Sequence, residues 1–350
     1  VLELPVSARG RGPDVLLAAR GFAALAVVFW HTIGYHGKLP NAINVPGRVS
    51  VWLFFGISGY VIACGFLERR YTLEFRSLAR YALNRALRIM PLFWTVSAAG
   101  WAWTLWTTGE SPIGKSNWAA QILALQWNQS YVLNGVFWTL GIEMQFYVLA
   151  PALAWLLLPR PNRRGTVAFL LLMLMAMAWP CVHSKVIGGG IDLRNLLHNL
   201  DMFMAGMAGA ALAPLFSSAR RFRWHFLGGA LATLVACNVL YHSGFAPFIE
   251  WKGRITMVAC ILLLVGAHVG FESGPPVEAR WWRALACLGT LSYGVYAWHG
   301  LLVMHSPFLE SHFLATAAIT LVLAAASYAL VERPCLRAKR SGMLAVHGGA

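Results

Sequence analysis

The sequence predicts an all-α, polytopic membrane protein of about ten transmembrane helices, with both termini cytoplasmic. Three observations carry that reading. Of the 350 residues, 58% are hydrophobic and only 12% are charged, and the mean hydropathy is +0.60. A soluble domain has about twice that charged fraction. Ten apolar stretches each come close to the length that a bilayer helix needs, about 17–25 residues. The basic residues, which give a net charge of +15, alternate between connections as the positive-inside rule requires.

In order, the stretches lie near 15–36, 49–67, 88–108, 136–158, 166–182, 198–215, 225–243, 254–270, 286–305 and 312–331. Residues 117–128 are too short to span and read as a re-entrant or interfacial helix. Arg69, Arg70, Arg76, Arg80 and Arg85 follow the second stretch, and Arg160, Arg163 and Arg164 the fourth. Arg220, Arg221 and Arg223 follow the sixth, Arg280 and Arg283 the eighth, and Arg333, Arg337, Lys339 and Arg340 the tenth. The opposite connections hold only Lys38, Arg48, Lys115, Lys185, Arg194, Lys252 and Arg254. Arginines scattered over separate loops make no basic domain, so a nucleic-acid partner is excluded.

The leader with Arg9 and Arg11 reads as an uncleaved anchor, because the first span holds a buried arginine and no small-residue cleavage site follows. Six cysteines without paired spacing read as packing residues, and no His-x3-His helix pair suggests a metal. Residues 1–337 read as a single domain without internal repeats, and 338–350 as a loose tail.

Candidate site residues emerge from charges inside spans, which are expensive and usually face a bundle interior or a wet cavity. Arg20 and His31 are eleven residues apart, roughly three turns and 16 Å, and so share one face of the first span. A snorkelling arginine and a helix-bridging histidine would be the structural alternative. In the second span, Gly56, Ser58 and Gly59 read first as a close helix contact. Beside a site, such a contact would also leave room for a thin ligand arm. Ser58 lacks the context of a nucleophile elbow.

Arg85 and Arg88, at i and i+3, can fork onto phosphate or carboxylate oxygens, although lipid phosphates compete for that role. Glu143 has no cheap structural reason to lie in the fourth span. Counting residues puts it roughly 10 Å from the outer end, with His31 roughly 24 Å and His299 roughly 20 Å from the inner end. In a core about 30 Å thick these three titratable groups are expected to converge in the outer half. Arg20 and Glu143 are expected to set the surroundings of His31, and Tyr296 and Ser58 to support them. His299 taken alone reads as helix-bridging.

The ordered set Arg20-x10-His31, Phe54-Phe55-Gly56-Ile57-Ser58-Gly59, Arg85-x2-Arg88-Ile-x-Pro91, Trp138-Thr139-Leu140-x2-Glu143-x2-Phe146-Tyr147, Ser292-Tyr293-x2-Tyr296-x2-His299 and Glu332-Arg333-Pro334 resembles the acyltransferase-3 family. These are bacterial inner-membrane O-acyltransferases of cell-surface polysaccharides, with relatives acting on nodulation factors and macrolides. The resemblance runs from about residue 14 to 336. It implies transfer of an acyl group, usually acetyl from acetyl-CoA, to a sugar hydroxyl of a polysaccharide, a lipid-linked glycan or a related acceptor. By position, it implies His31 as the catalytic histidine with Glu143 nearby, and Arg20, Arg85 and Arg88 at the acyl donor.

On this picture the CoA phosphates meet the three arginines and the pantetheine arm runs up toward His31. His31 then serves as base or as transient acyl carrier, without a metal. Trp101, Trp103, Trp106 and Trp127 would offer stacking surfaces to a sugar, although membrane-belt duty explains most of the tryptophans. Some family members add a C-terminal esterase-like domain. This sequence ends soon after Glu332-Arg333-Pro334, which raises the expectation of a separate partner or a direct acceptor. The competing class is a transporter or flippase for an acylated or lipid-linked sugar, which would also want buried charges at the midplane.

Overall fold

The computed structural model describes residues 14–34, 44–113, 118–124, 133–158, 164–188, 191–192, 194–273 and 280–340. The expectations for Lys38, Lys115, Trp127, Arg160, Arg163 and the Arg9–Arg11 leader fall outside those residues. The described chain is helical throughout. In order it forms α1 (Val15–Phe29), α2 (Gly47–Leu67), α3 (Phe75–Thr108), α4 (Trp118–Ile122), α5 (Trp138–Leu157), α6 (Arg164–Lys185), α7 (Leu200–Ala211) and α8 (Ala213–Ser218). Then follow α9 (Arg223–Ser243), α10 (Phe245–Pro247), α11 (Gly253–Glu272), α12 (Arg280–His305), α13 (Pro307–Ser311), α14 (Phe313–Ser327) and α15 (Arg333–Arg340).

Among the described residues, seven helices are long and apolar enough to cross a membrane, and they coincide with the first, second, fourth, fifth, seventh, eighth and tenth predicted stretches. The other three stretches are helical too, but each differs from a simple span. α3 runs for 34 residues, about 50 Å at 1.5 Å per residue. Its first half carries Arg76, Arg80, Arg85 and Arg88, so it outlasts the apolar part. α12 begins as early as Arg280 and mixes polar with apolar faces.

α7 departs most from expectation. Where one span was predicted over 198–215, the helix has only 12 residues, and its chain bends at Leu212 into α8. α7 can be short because it is wrapped by protein on nearly every side: Asp201 through Gly206 are all buried. Pro214 opens α8, where its fixed φ and missing N–H suit a first helical turn.

The main helix contacts are α2 with α7, α1 with α12, α9 with α11, α12 with α14 and α7 with α11. Glycines set the two tightest crossings. A Cβ on Gly206 would run into the Gly56 carbonyl, and one on Gly59 into the Phe203 carbonyl, so α2 and α7 meet backbone to backbone. Gly289 likewise abuts the Leu17 carbonyl, and Gly21 lies against Leu285 and Gly289. These contacts and the His31–His299 contact near the other end make α1 and α12 parallel neighbours. The end where α1 starts is called the lower end below, and the end near His31 the upper end.

Arg254 corrects the sequence reading, which counted it among loop charges. It is fully buried, and its Nη1 lies 2.9 Å from both carboxylate oxygens of Asp201, itself fully buried. Its Nη2 donates to the His198 carbonyl at 2.6 Å and its Nε to the Ile249 carbonyl. The pair staples α7 to the start of α11. Sequence alone could not supply a partner 53 positions away.

Three π-helical turns interrupt the bundle, at Trp30–Gly34, Phe248–Lys252 and Tyr328–Glu332. Such widened turns recur at functional sites. Two of them carry motif residues, His31 and Glu332.

Candidate functional site

Two side-chain clusters line the interface of α1, α2, α3, α5 and α12. The lower one is ionic. Arg20, the sixth residue of α1, donates from Nε to Ser292 Oγ of α12 at 3.3 Å, and its guanidinium lies 5.8 Å from the Phe54 ring centre. Glu143 of α5 feels Arg20, Arg85 and Arg88 together, and the Tyr147 hydroxyl one turn on reaches its carboxylate. Ser58 of α2 in turn reaches Tyr147. Arg85 lies between the rings of Tyr81 and Tyr147, at 5.8 and 5.9 Å.

A second carboxylate completes this cluster. Glu332 is 3% exposed and neither of its oxygens has a hydrogen-bond partner. Arg88 and Arg20 are the cations acting on it. Three guanidiniums and two carboxylates therefore share this cluster. The sequence reading quoted Glu332 as part of a motif but gave it no role. The available signal was an acidic residue at the lower end of the last apolar helix.

The upper cluster is a histidine pair. His31 Nδ1 and His299 Nε2 are 3.2 Å apart, with ring centres at 5.3 Å and planes inclined by 27°. His299 is fully buried, whereas His31 is partly exposed. Tyr296, one turn before His299, lies 5.5 Å from that ring and donates its hydroxyl to the Val136 carbonyl at 3.0 Å. Thr139 donates to the Tyr296 hydroxyl at 3.1 Å, and Asn134 donates to the Ala297 carbonyl at 2.8 Å. The start of α5 is thereby fixed against α12.

The expected convergence of His31, Glu143 and His299 is thus divided. His31 meets His299, while Glu143 meets the arginines instead, and neither Arg20 nor Glu143 is among the groups acting on His31. Residue counting placed all three at similar depth but could not say which faces look at each other.

A narrow slot of about 50 Å³ lies beside the ionic cluster and reaches Thr139 and Tyr296. Arg20, Phe54, Thr139, Glu143, Ser292 and Tyr296 are among the residues that line it. Below it opens a vestibule of about 350 Å³, also lined by Arg20, with Asp14, Tyr60, Glu68, Arg70, His268 and Glu272 around it. Arg20 is common to both cavities. In the vestibule His268 lies between Asp14 and Glu272, 3.5 Å from each.

The remaining expectations fall elsewhere. Gly59 packs against Phe203 of α7 and Gly56 against Ile261 of α11, and Ser58 is the member of that motif which faces the ionic cluster. Trp103 packs against His305, Trp106 is 84% exposed, and Trp101 lines a separate apolar cavity with Trp94 and Gln121. Arg48, read as a loop charge, stacks over the Trp138 ring at 4.6 Å, near the top of the slot. Among the described residues, no group of three His, Cys, Asp or Glu side chains is placed to hold a metal ion.

Residues 16–331 match the Acyl_transf_3 family, described as an acyltransferase domain. Among curated proteins, the chain is 26% identical over 358 aligned positions to YrhL of Bacillus subtilis, provisionally named a peptidoglycan O-acetyltransferase, covering 90% of this chain and 53% of YrhL. It is 27% identical to BcsY of Komagataeibacter xylinus, provisionally named a membrane-bound transacylase, covering 90% of this chain and 80% of BcsY. It is 23% identical to the peptidoglycan O-acetyltransferase OatA of Listeria monocytogenes, covering 90% and 54%. The chain therefore spans about half the length of YrhL and OatA. No solved structure matches it.

Proposed function

This chain belongs to the Acyl_transf_3 family of acyltransferases, and we propose that it is a multi-pass inner-membrane O-acetyltransferase of an envelope glycan. Peptidoglycan is the acceptor class named for several of its relatives. The donor is an acyl-CoA, with acetyl-CoA first in line. The observation that carries the proposal is the position of Arg20, which lines both the vestibule and the slot, while Tyr296, also in the slot wall, lies against the His31–His299 pair.

In this reading the seven span-length helices are joined by α3, α7 and α12, giving ten crossings with both termini cytoplasmic. The parallel packing of α1 and α12 supports it, since a first and a ninth crossing run in the same direction. The vestibule then faces the cytoplasm, where CoA is. The nucleotide phosphates are held from Arg20, Arg85 and Arg88, and the thin arm enters the slot toward His31.

The chemistry asked of His31 is base catalysis. An acceptor hydroxyl loses its proton to His31 as its oxygen attacks the thioester carbonyl. The C–S bond breaks, and the protonated imidazole returns the proton to the departing thiolate. Ester and free thiol are the products. Acyl transfer through His31 itself would use the same residue as nucleophile.

The test is His31→Ala in reconstituted membranes, with labelled acetyl-CoA and an isolated envelope glycan read by mass spectrometry. A general base is worth about 10²–10⁴-fold, so acetylation should fall to background while the protein remains inserted. Full transfer by His31→Ala would overturn the catalytic assignment. Movement of glycan across the membrane without any gain of acetyl would favour a transporter.

A further inference from the structure

We infer that His299 is a positioning residue that fixes the tautomer of His31 and so leaves His31 Nε2 as the basic nitrogen. This rests on the proposed role of His31 and adds to it a residue that never needs to touch substrate.

The argument is one of hydrogen-bond inventory. His299 Nδ1 lies 3.1 Å from the Val295 carbonyl oxygen, one turn back on α12. A carbonyl only accepts, so Nδ1 must carry the proton. His299 is fully buried, and both its nitrogens face neutral partners, so a charge on this ring would be costly. A neutral imidazole with its proton on Nδ1 has only a lone pair at Nε2. That lone pair faces His31 Nδ1 at 3.2 Å, which must then be the donor. His31 has one proton to place, and this places it on Nδ1. Its Nε2 is left as an acceptor on a ring that remains partly exposed.

A second observation agrees. His305 and His312, like His299, turn Nδ1 to the carbonyl four residues back, at 3.0 and 2.7 Å. The Val27 carbonyl, four residues before His31, also acts on that ring. The π-helical turn at Trp30–Gly34 changes the pitch of α1 where His31 turns toward α12. The logic is that of an acid–histidine pair, in which the buried partner holds the tautomer and the orientation of the working ring. Here a neutral imidazole does so without introducing a buried charge.

The test combines spectroscopy with conservative rescue. In ¹⁵N-histidine-labelled protein in nanodiscs, His31, identified by its loss in His31→Ala, should show a protonated Nδ1 and an unprotonated Nε2. His299→Leu should leave a mixture of tautomers and lower kcat by about 10–100-fold with KM nearly unchanged, the scale on which a metal-bound histidine responds to loss of its hydrogen-bonded outer partner. His299→Gln puts an amide oxygen close to the Nε2 position and should recover most of both signals. His299→Asn, which is too short to reach His31, should not. A wild-type His31 protonated on Nε2, or a folded His299→Leu protein with unchanged tautomer and kcat, overturns the inference. The tautomer measurement needs no turnover. If His31→Ala keeps full activity, the proposed function fails while the His299 assignment is still decided by the spectrum.

Discussion

Removing one half of the buried Asp201–Arg254 pair should cost far more than removing both. Both side chains are fully inaccessible, the guanidinium contacts both carboxylate oxygens at 2.9 Å, and its remaining donors go to the His198 and Ile249 carbonyls. Truncating one partner of such a pair strands a charge in a low-dielectric interior, typically at about 3–5 kcal/mol. Arg254→Met also removes the donors of two carbonyls, at about 1–3 kcal/mol for each that stays unsatisfied. Asp201→Leu strands the guanidinium, which keeps those two carbonyls, so it belongs at the lower end of the range.

The double variant Asp201→Leu/Arg254→Met buries no charge and fills the site with apolar atoms of similar volume. It should be more stable than Arg254→Met alone, although the two carbonyls remain to be satisfied. The four proteins form a double-mutant cycle, read by reversible unfolding in mixed micelles. A coupling near 3 kcal/mol is expected. Single variants that each lose less than about 1 kcal/mol, or a strictly additive cycle, would refute the reasoning, because the pair would then be solvated or loosely held. The consequence reaches the slot. Trp52 of α2 donates to Asn199 Oδ1 at 3.0 Å beside this staple, so slack at α7 would loosen the α2 wall that carries Phe54.

Three further outcomes follow from the same geometry. Arg20→Ala and Glu143→Gln should each lower acetyl transfer yet leave the acidic limb of the pH–rate profile nearly where it is, since neither charge acts on His31. A clear displacement by either variant would place that charge at the histidine pair after all. The double variant Arg85→Ala/Arg88→Ala should weaken acetyl-CoA binding in titration calorimetry. Lysine at either position should restore little, for want of a fork. Unchanged affinity would remove both from the donor site. Gly206→Val should separate α2 from α7 and lower both folding yield and activity, because its side chain would meet the Gly56 carbonyl. A fully stable variant would show that the crossing has room to give.

Much of this protein was legible in one dimension because the bilayer imposes length and polarity along the chain. The seven span-length helices match seven predicted stretches closely, since only a continuous apolar run satisfies its own backbone in lipid. Charges inside or at the ends of the predicted stretches marked Arg20, His31, Arg85, Arg88, Glu143 and His299, and the structure brings all of them to one interface.

What the sequence could not determine was azimuth and partner. Axial depth follows from counting residues, but the direction a side chain faces depends on which helix stands beside it. Only packing divided the site into an ionic cluster around Glu143 and a histidine pair at His31, and only packing brought Glu332 to Arg88 and Arg20. The same holds for α7, whose 12 residues are tolerated because protein rather than lipid surrounds them. It holds too for Arg254, a loop charge on paper and a fully buried one in the fold, because Asp201 meets it from another helix.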